Sequence, residues 1–233
     1  MKNVPVQKNQ ELELTIEDLS YQGRGVAKVG HYPLFIENAL PGEKILAHVL
    51  KVSKNYGFAK VVERYNDSPE RQANSKLAYL QTGIAPLQHL TYQTQLQFKQ
   101  NQLRELLHKV HLDQIAVAPT VGMAEPLHYR NKAQIPVRMV NGQLETGFFK
   151  QRSHQFVVLH DFLIQDPRID QILMVVRDIL REFEIPAYNE PAHSGILRHI
   201  VIRRGHYSGE VMVILVTRSR NLPAANPIAQ EII

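Results

Sequence analysis

Between Leu12 and Glu63 the chain never runs far enough without a turn residue to build a helix. Its apolar positions alternate with polar ones in short runs: Leu12 to Ile16, Val26 to Val29, Leu34 to Ile36, Ile45 to Val52 and Phe58 to Val62. Gly23 and Gly25, Gly30, Pro41-Gly42 and Asn55-Tyr56-Gly57 punctuate them. Side chains alternate across a strand, so this period leaves strands joined by turns as the regular solution. Five strands at this spacing predict a small closed antiparallel β barrel. Arg24, Lys28, Lys44, Lys51, Lys54 and Lys60 fall at turns or polar positions, and Tyr21, His31, Tyr32 and Tyr56 are expected to be exposed. Cations track phosphates and rings accept stacked bases, so these are the ingredients of a nucleic-acid platform. The same charges are also what a solvated barrel surface carries.

The full chain has 233 residues, with 27 Lys+Arg against 22 Asp+Glu and a formal charge of +5. That balance permits an RNA or DNA partner without requiring one. With no cysteine present, disulfides, thiolate metal sites and cysteine nucleophiles are excluded. No apolar run approaches the length of a membrane span and the N-terminus lacks a signal-like apolar stretch, so the expectation is a cytoplasmic protein with no membrane partner.

Arg64 to Lys76 is polar, carries Pro69 and reads as a linker, which places a domain boundary near residue 65. From Thr91 to Val110, Leu96, Leu103, Leu106, Leu107 and Val110 recur at helical spacing behind a Thr91 cap. Ala133, Ile135, Val137 and Met139 alternate with polar residues before Asn141-Gly142, a strong hairpin signal leading into Leu144 to Phe149. Pro136 predicts that this hairpin lies at a sheet edge. Asp166-Pro167 opens a helix with a continuous apolar stripe from Ile169 to Phe183. Ile196 to Arg204 alternates, whereas Val211 to Val216 is uniformly apolar and is expected to be a central strand. This order describes an α+β domain with an antiparallel sheet over residues 66–225. Asn226-Pro227 is a cap and first position followed by only Ile228 to Ile233.

Tyr129, Arg130, Asn131 and Lys132 place a ring, two cations and an amide at the mouth of a strand, suited to unpaired RNA. Edge-strand charges around a core tyrosine are the competing reading. Arg152, Ser153 and His154 follow the hairpin and suit either a phosphate or simple turn solvation. His108 and His111 lack a third ligand at workable spacing, so no metal is expected.

Several ordered stretches carry a resemblance. Asp18 to Ala27 and Pro41-Gly42-Glu43 resemble the TRAM domain. Pro86 to Tyr92, Tyr129 to Gln134, Gly147-Phe148-Phe149, Arg152-Ser153-His154, Leu197-Arg198-His199 and Gly209 to Val213 are similar, in order, to the N-terminal half of the bacterial RNA uracil-5-methyltransferase family. Those are class I S-adenosylmethionine enzymes that make 5-methyluridine in 23S ribosomal RNA. The resemblance implies a TRAM-like RNA-binding barrel at 1–65, a central RNA-binding domain at 66–225, and at 226–233 the truncated start of the catalytic domain. The class I methyltransferase domain is then expected to be absent from this chain, with S-adenosylmethionine bound only by the full-length protein. Ribosomal RNA is the implied partner, and Arg24, Lys28, Lys54, Tyr129, Arg130, Asn131, Lys132, Arg152 and His154 the implied RNA contacts. The helix at 91–110 is implied to pack on the catalytic domain, which would leave Leu103, Leu106, Leu107 and Val110 partly bare and open to self-association.

Many members hold an iron–sulfur cluster on cysteines where this sequence has Lys76, Thr82 and Ala85, with Gly83 retained. Thiolates ligate such clusters, so none is expected here, and Tyr79, Leu80, Ile84 and Leu87 are expected to hold the loop by packing. The family's reaction needs a thiolate at C6 of uracil and a base at C5; without the thiolate this chain is expected to be inactive alone. A stand-alone RNA-binding module or ribosome-associated factor, and more distantly a protein scaffold, are the alternatives.

Overall fold

The computed structural model describes residues 4–233. They divide into two compact units, one up to Met123 and the other from Ala124 to Ile233. The long helix expected with the central domain belongs to the first unit.

Alternation in the first unit yields six strands: β1 (Glu11–Thr15), β2 (Asp18–Leu19), β3 (Gly25–Val29), β4 (Tyr32–Glu37), β5 (Lys44–Val52) and β6 (Gly57–Arg64). Their hydrogen-bonded order is β1-β5-β6-β4-β3-β2. The expected closed antiparallel barrel is therefore corrected to a mixed sheet whose order ends at β1 and β2, because β4 and β6 run parallel. Gly57 is the residue that permits the parallel pair. A Cβ there would lie 2.7 Å from a Leu34 methyl and 3.0 Å from the Lys51 carbonyl oxygen. Ile16, Leu34, Ile36, Ile45, Ala47 and Val49 fill the concave side. Tyr32 joins them, its hydroxyl donating to the Ser53 carbonyl at 2.8 Å, so it is core and not an exposed ring.

Helix α1 (Leu77–Thr82) occupies the segment expected to be a loop. Tyr79 and Leu80 are buried and Ile84 and Leu87 half-buried, so the plug is apolar as expected. A second device was not foreseen. The Gln88 side-chain amide pairs with both backbone groups of Lys76, its oxygen accepting the Lys76 N–H at 3.1 Å and its nitrogen donating to the Lys76 carbonyl. An iron–sulfur cluster does not fit here, for the sequence supplies no thiolate to ligate it. Helix α2 (Tyr92–Lys109) starts on Thr91, whose hydroxyl accepts from the Thr94 N–H. Leu103, Leu106 and Val110 on it are each about half or more exposed, at 49%, 59% and 61%.

The second unit contains β7 (Lys132–Val140), β8 (Gln143–Phe149), β9 (Phe156–Val158), α3 (Pro167–Glu182), β10 (Leu197–Arg204), β11 (Val211–Thr217) and α4 (Ala225–Ile232). The strands form one antiparallel sheet in the order β11-β10-β7-β8-β9. Asn141 and Gly142 turn the β7–β8 hairpin with φ of 51° and 81°, the left-handed pair that Asn-Gly favours. Two edge assignments are corrected. β7 is interior, and Pro136 survives there because β7 pairs with β10 over Lys132 to Pro136 and with β8 only from Val137 on, so no β8 bond is asked of the missing N–H. β11 is an edge strand despite its uniform apolarity: Val211, Met212 and Ile214 stay substantially exposed. Asp166 caps α3, accepting from the Arg168 N–H at 2.9 Å, and Ile169, Leu173, Val176, Ile179 and Leu180 are buried beneath it. Helix α4 packs on α3 through Ile228 and starts from Ala224 in a left-handed conformation, not from an Asn226 cap.

Candidate nucleic-acid interface

On the convex side of the first sheet, the parallel register sets Phe35 opposite Phe58. Their ring centroids lie 5.9 Å apart, and Tyr56, from the β5–β6 turn, stands edge-on to both at 5.9 and 5.6 Å. The Arg24 guanidinium covers the Phe58 ring at 5.3 Å. Lys51 is the cross-strand neighbour of Phe58, and Lys60 follows two residues on in β6. Offset rings rimmed by cations can stack a base and hold its phosphates. Among the predicted residues, Arg24 is part of this platform and Lys54 is exposed in the same turn as Tyr56. Lys28, on β3, is exposed but paired with Glu17 at 3.4 Å. Phe35 and Phe58 were missed, although Phe58 shares the polar phase of β6 with Lys60.

The platform's turn is anchored from within the same unit. Gly23 sits at φ 75°, and a Cβ there would meet a Leu87 methyl at 2.4 Å. Two residues on from Leu87, His89 is buried beside the Gly23 backbone, with no hydrogen bond of good geometry to either ring nitrogen. Burial and then the positive charge of Arg71 push its pKa down to about 4, so it is neutral at ordinary pH. Glu43, also fully buried, takes Arg71 on both oxygens at 2.6 and 2.8 Å and Arg64 at 3.3 Å. Burial pushes the Glu43 carboxyl up, but Arg71 and the Leu40 and Ser68 N–H groups outweigh it and hold the pKa below the usual value.

In the second unit, strand direction gathers the other predicted residues at one end of the sheet, where β7 and β11 begin and β8 and β10 end. Arg130 is threaded by its backbone, its N–H donating to the Ile164 carbonyl and its carbonyl accepting from the Asp166 N–H, both at 2.9 Å, so its exposed side chain has a fixed root. The Asn131 carbonyl accepts the Arg204 N–H at 2.9 Å. Lys132 faces Arg203 across the β7–β10 pair. Tyr129 is 54% exposed, which removes the core reading for it. Arg152 and His154 lie exposed in the β8–β9 loop at this end; Ser153 instead closes that loop, its hydroxyl accepting the Gln155 N–H at 3.0 Å. The turn after β10 adds Tyr207, fully exposed and edge-on to His206 at 4.9 Å. Tyr207 was missed because nothing in its sequence neighbourhood marks it; only the strand order brings it here. Arg204 is set apart from this group by its ion pair with Asp166 at 2.5 Å.

Residues 5–62 match the family model of the TRAM domain. Over 230 residues the chain is 56% identical to an uncharacterized RNA methyltransferase of Lactiplantibacillus plantarum, covering 99% of this chain and 50% of that protein. An uncharacterized RNA methyltransferase of Enterococcus faecalis is 48% identical over 234 residues, 100% of this chain and 51% of its own length. The chain spans about half the length of these relatives. Among solved structures, the Pyrococcus abyssi tRNA (uracil-54, C5)-methyltransferase, crystallised with S-adenosyl-L-homocysteine, superposes with a TM-score of 0.69 at 24% identity over 93% of this chain and 48% of its own. That shared fold corrects the expected fold class a second time. The expected class, a barrel and an α+β domain with the class I methyltransferase domain absent, gives way to that shared fold, in which 93% of this chain follows 48% of the methyltransferase's chain.

Among the described residues, no helix is long and apolar enough to cross a membrane.

Proposed function

We propose that this chain holds substrate RNA for an S-adenosylmethionine-dependent RNA (uracil-5-)-methyltransferase, with ribosomal RNA as the substrate class. The observation that carries the reading is the Arg24, Phe35, Tyr56 and Phe58 cluster, a ring platform under a cation within the segment that matches the TRAM model. The cationic end of the second sheet, with Arg130, Lys132, Arg152 and Arg203 beside the rings of Tyr129 and Tyr207, supports it from a separate unit. Rings and phosphate-seeking cations together suit an unpaired loop, whose bases are free to stack.

Addition to C6 of uracil calls for a thiolate, and these 233 residues contain no cysteine, so their share in the reaction is binding and presentation. S-adenosylmethionine would supply the methyl group. Gly23 and Gly25 do not fit a cradle for it: a Cβ on Gly25 would collide with Ala39 at 2.8 Å, as one on Gly23 would with Leu87, so packing explains both glycines.

The experiment is binding of an unmodified, uridine-containing ribosomal RNA loop to the chain across a salt series. Phosphate contacts release counterions, so log K should fall linearly and steeply with log salt. Binding that is absent, or that is indifferent to salt, would reject the reading.

A further inference from the structure

Where β10 begins and β11 ends, three arginines converge on one buried tyrosine without a carboxylate among them. Arg198 lies over the Tyr188 ring with its guanidinium 4.1 Å from the centroid, and Arg218 approaches the same ring at 5.6 Å. Arg138 donates to the Tyr188 carbonyl at 3.4 Å and covers the Phe149 ring at 4.9 Å. The His193 ring nitrogen meets the Tyr188 hydroxyl at 3.1 Å, and the Arg218 guanidinium donates to the His193 carbonyl. Three arginines of this unit are neutralised by acids: Arg177 and Arg181 share Glu145 and Asp178, and Arg204 takes Asp166. Among the described residues, no ion pair involves Arg138, Arg198 or Arg218.

A second observation lies in the same place. His199 stands between Pro136 and Val216 in the sheet register, and its Nδ1 is buried with no hydrogen-bond partner. Burial first, and then the charges of Arg138 and Arg198, hold its pKa below the usual value. The lowered pKa of this half-buried ring registers positive charge from Arg138 and Arg198 that no acid offsets. Guanidinium groups bind phosphate oxygens in a fork, and contacts to rings and carbonyls leave N–H groups free to do so.

We propose that Arg138, Arg198 and Arg218, beside His199, form an anion site that takes a phosphodiester of RNA. The proposal rests on the RNA-holding reading for the identity of its ligand, and on the arginine geometry alone for the existence of the site. Arg198 and Arg218 lie at the opposite end of the second sheet from Arg130 and Lys132, because β7 and β10 are antiparallel and Arg198 opens the strand that Arg203 and Arg204 close, while Arg138 reaches back along the sheet to Phe149. One strand of RNA spanning the sheet would then be held at both ends. The competing explanation is that the arginines only pack over Tyr188.

Two measurements on the 233-residue chain separate these. In the first, inorganic phosphate is titrated in while the ring resonances of His199 are followed; a saturable shift is expected, and it should vanish in Arg218→Gln. Arg218 is exposed, so this variant should keep the melting temperature of the parent, whereas Arg198→Gln also uncovers the Tyr188 ring. In the second, the salt dependence of binding to a ribosomal RNA loop is compared between parent and Arg218→Gln. The slope should shrink by about one unit and low-salt affinity should drop about tenfold. An Arg218→Gln chain with the parent's phosphate response and the parent's slope would overturn the site. A normal phosphate response in a parent chain that binds no RNA would overturn the phosphodiester assignment and the RNA-holding reading together, while the anion site itself would stand.

Discussion

The two units use arginine in opposite ways. In the first, Arg64 and Arg71 turn inward onto Glu43, a carboxylate with no exposed surface, and the Asn38 carbonyl accepts from both. In the second, Arg138, Arg198 and Arg218 lie on rings and carbonyls with no acid, and Arg130, Lys132 and Arg203 project from the end of a sheet. A net charge of +5 does not say where a polyanion would bind; the pairing of each cation does. Arg71 and Arg198 are indistinguishable by residue type, yet one is consumed by the fold and the other is left over.

If that contrast is right, the largest effect follows from Glu43→Gln. Removing one member of a buried ion network strands the remaining charges, which costs about 3–5 kcal/mol. A urea unfolding midpoint for the first unit should drop accordingly, with no change in the second. A loss under about 1 kcal/mol, the scale of an exposed pair, would mean that Arg64 and Arg71 reach water and that the contrast between the units is false.

His89 sharpens the comparison next, because it is the buried base beside that network. Its folded pKa of about 4 lies below the ordinary 6.5, so the unfolded chain binds more protons between those values. Stability is therefore fully present above pH 6.5, falls as pH drops towards 4, and levels off below; the fall is about 3 kcal/mol. Glu43, with its lowered pKa, adds a loss that begins only near and below 4.5. Urea midpoints of the parent and of His89→Phe measured from pH 7.5 to 4.5 should differ in slope, the variant being the flatter. Parallel curves would place His89 in contact with solvent.

Some of this was legible in the chain and some was not, for physical reasons. Asn141-Gly142 and Asp166-Pro167 act through their own backbones, and both turned up as the hairpin and the helix start they specify. Pro136 and Val211 to Val216 misled because periodicity reports which face of a strand is apolar, not which strands flank it. The parallel β4–β6 pair brings together residues 23 positions apart, Phe35 and Phe58, and nothing local marks either as half of a platform. Tyr32 and Tyr56 read alike in sequence; the Ser53 carbonyl takes the first into the core and leaves the second outside. The Glu43 network was hidden inside Pro41-Gly42-Glu43, which reads as an ordinary turn until the fold closes over it.

Phe58→Ala tests whether the convex rings of the first unit act as a stacking surface. One stacked base is worth about 1–3 kcal/mol, so affinity for an unpaired RNA loop should weaken by about five- to a hundredfold, while the salt slope, which counts phosphates, should not move. A changed slope with unchanged affinity would reverse the assignment and leave Arg24 as the contact.

The smallest effect should come from the sheet end of the second unit, and its form matters more than its size. Arg130→Ala and Lys132→Ala each remove one exposed cation with no ion-pair partner among the described residues, so folding stability should stay within about 0.5 kcal/mol. Each should flatten the salt dependence of RNA binding by about one unit and weaken binding evenly across RNA sequences. Phe58→Ala would then alter affinity without slope, and Arg130→Ala would alter slope with little else, so the two variants read the stacking and the phosphate halves of one binding event separately. Unchanged slopes in both charge variants would return Arg130 and Lys132 to the role of solvated strand-end charges and leave RNA binding to the first unit and to Arg138, Arg198 and Arg218.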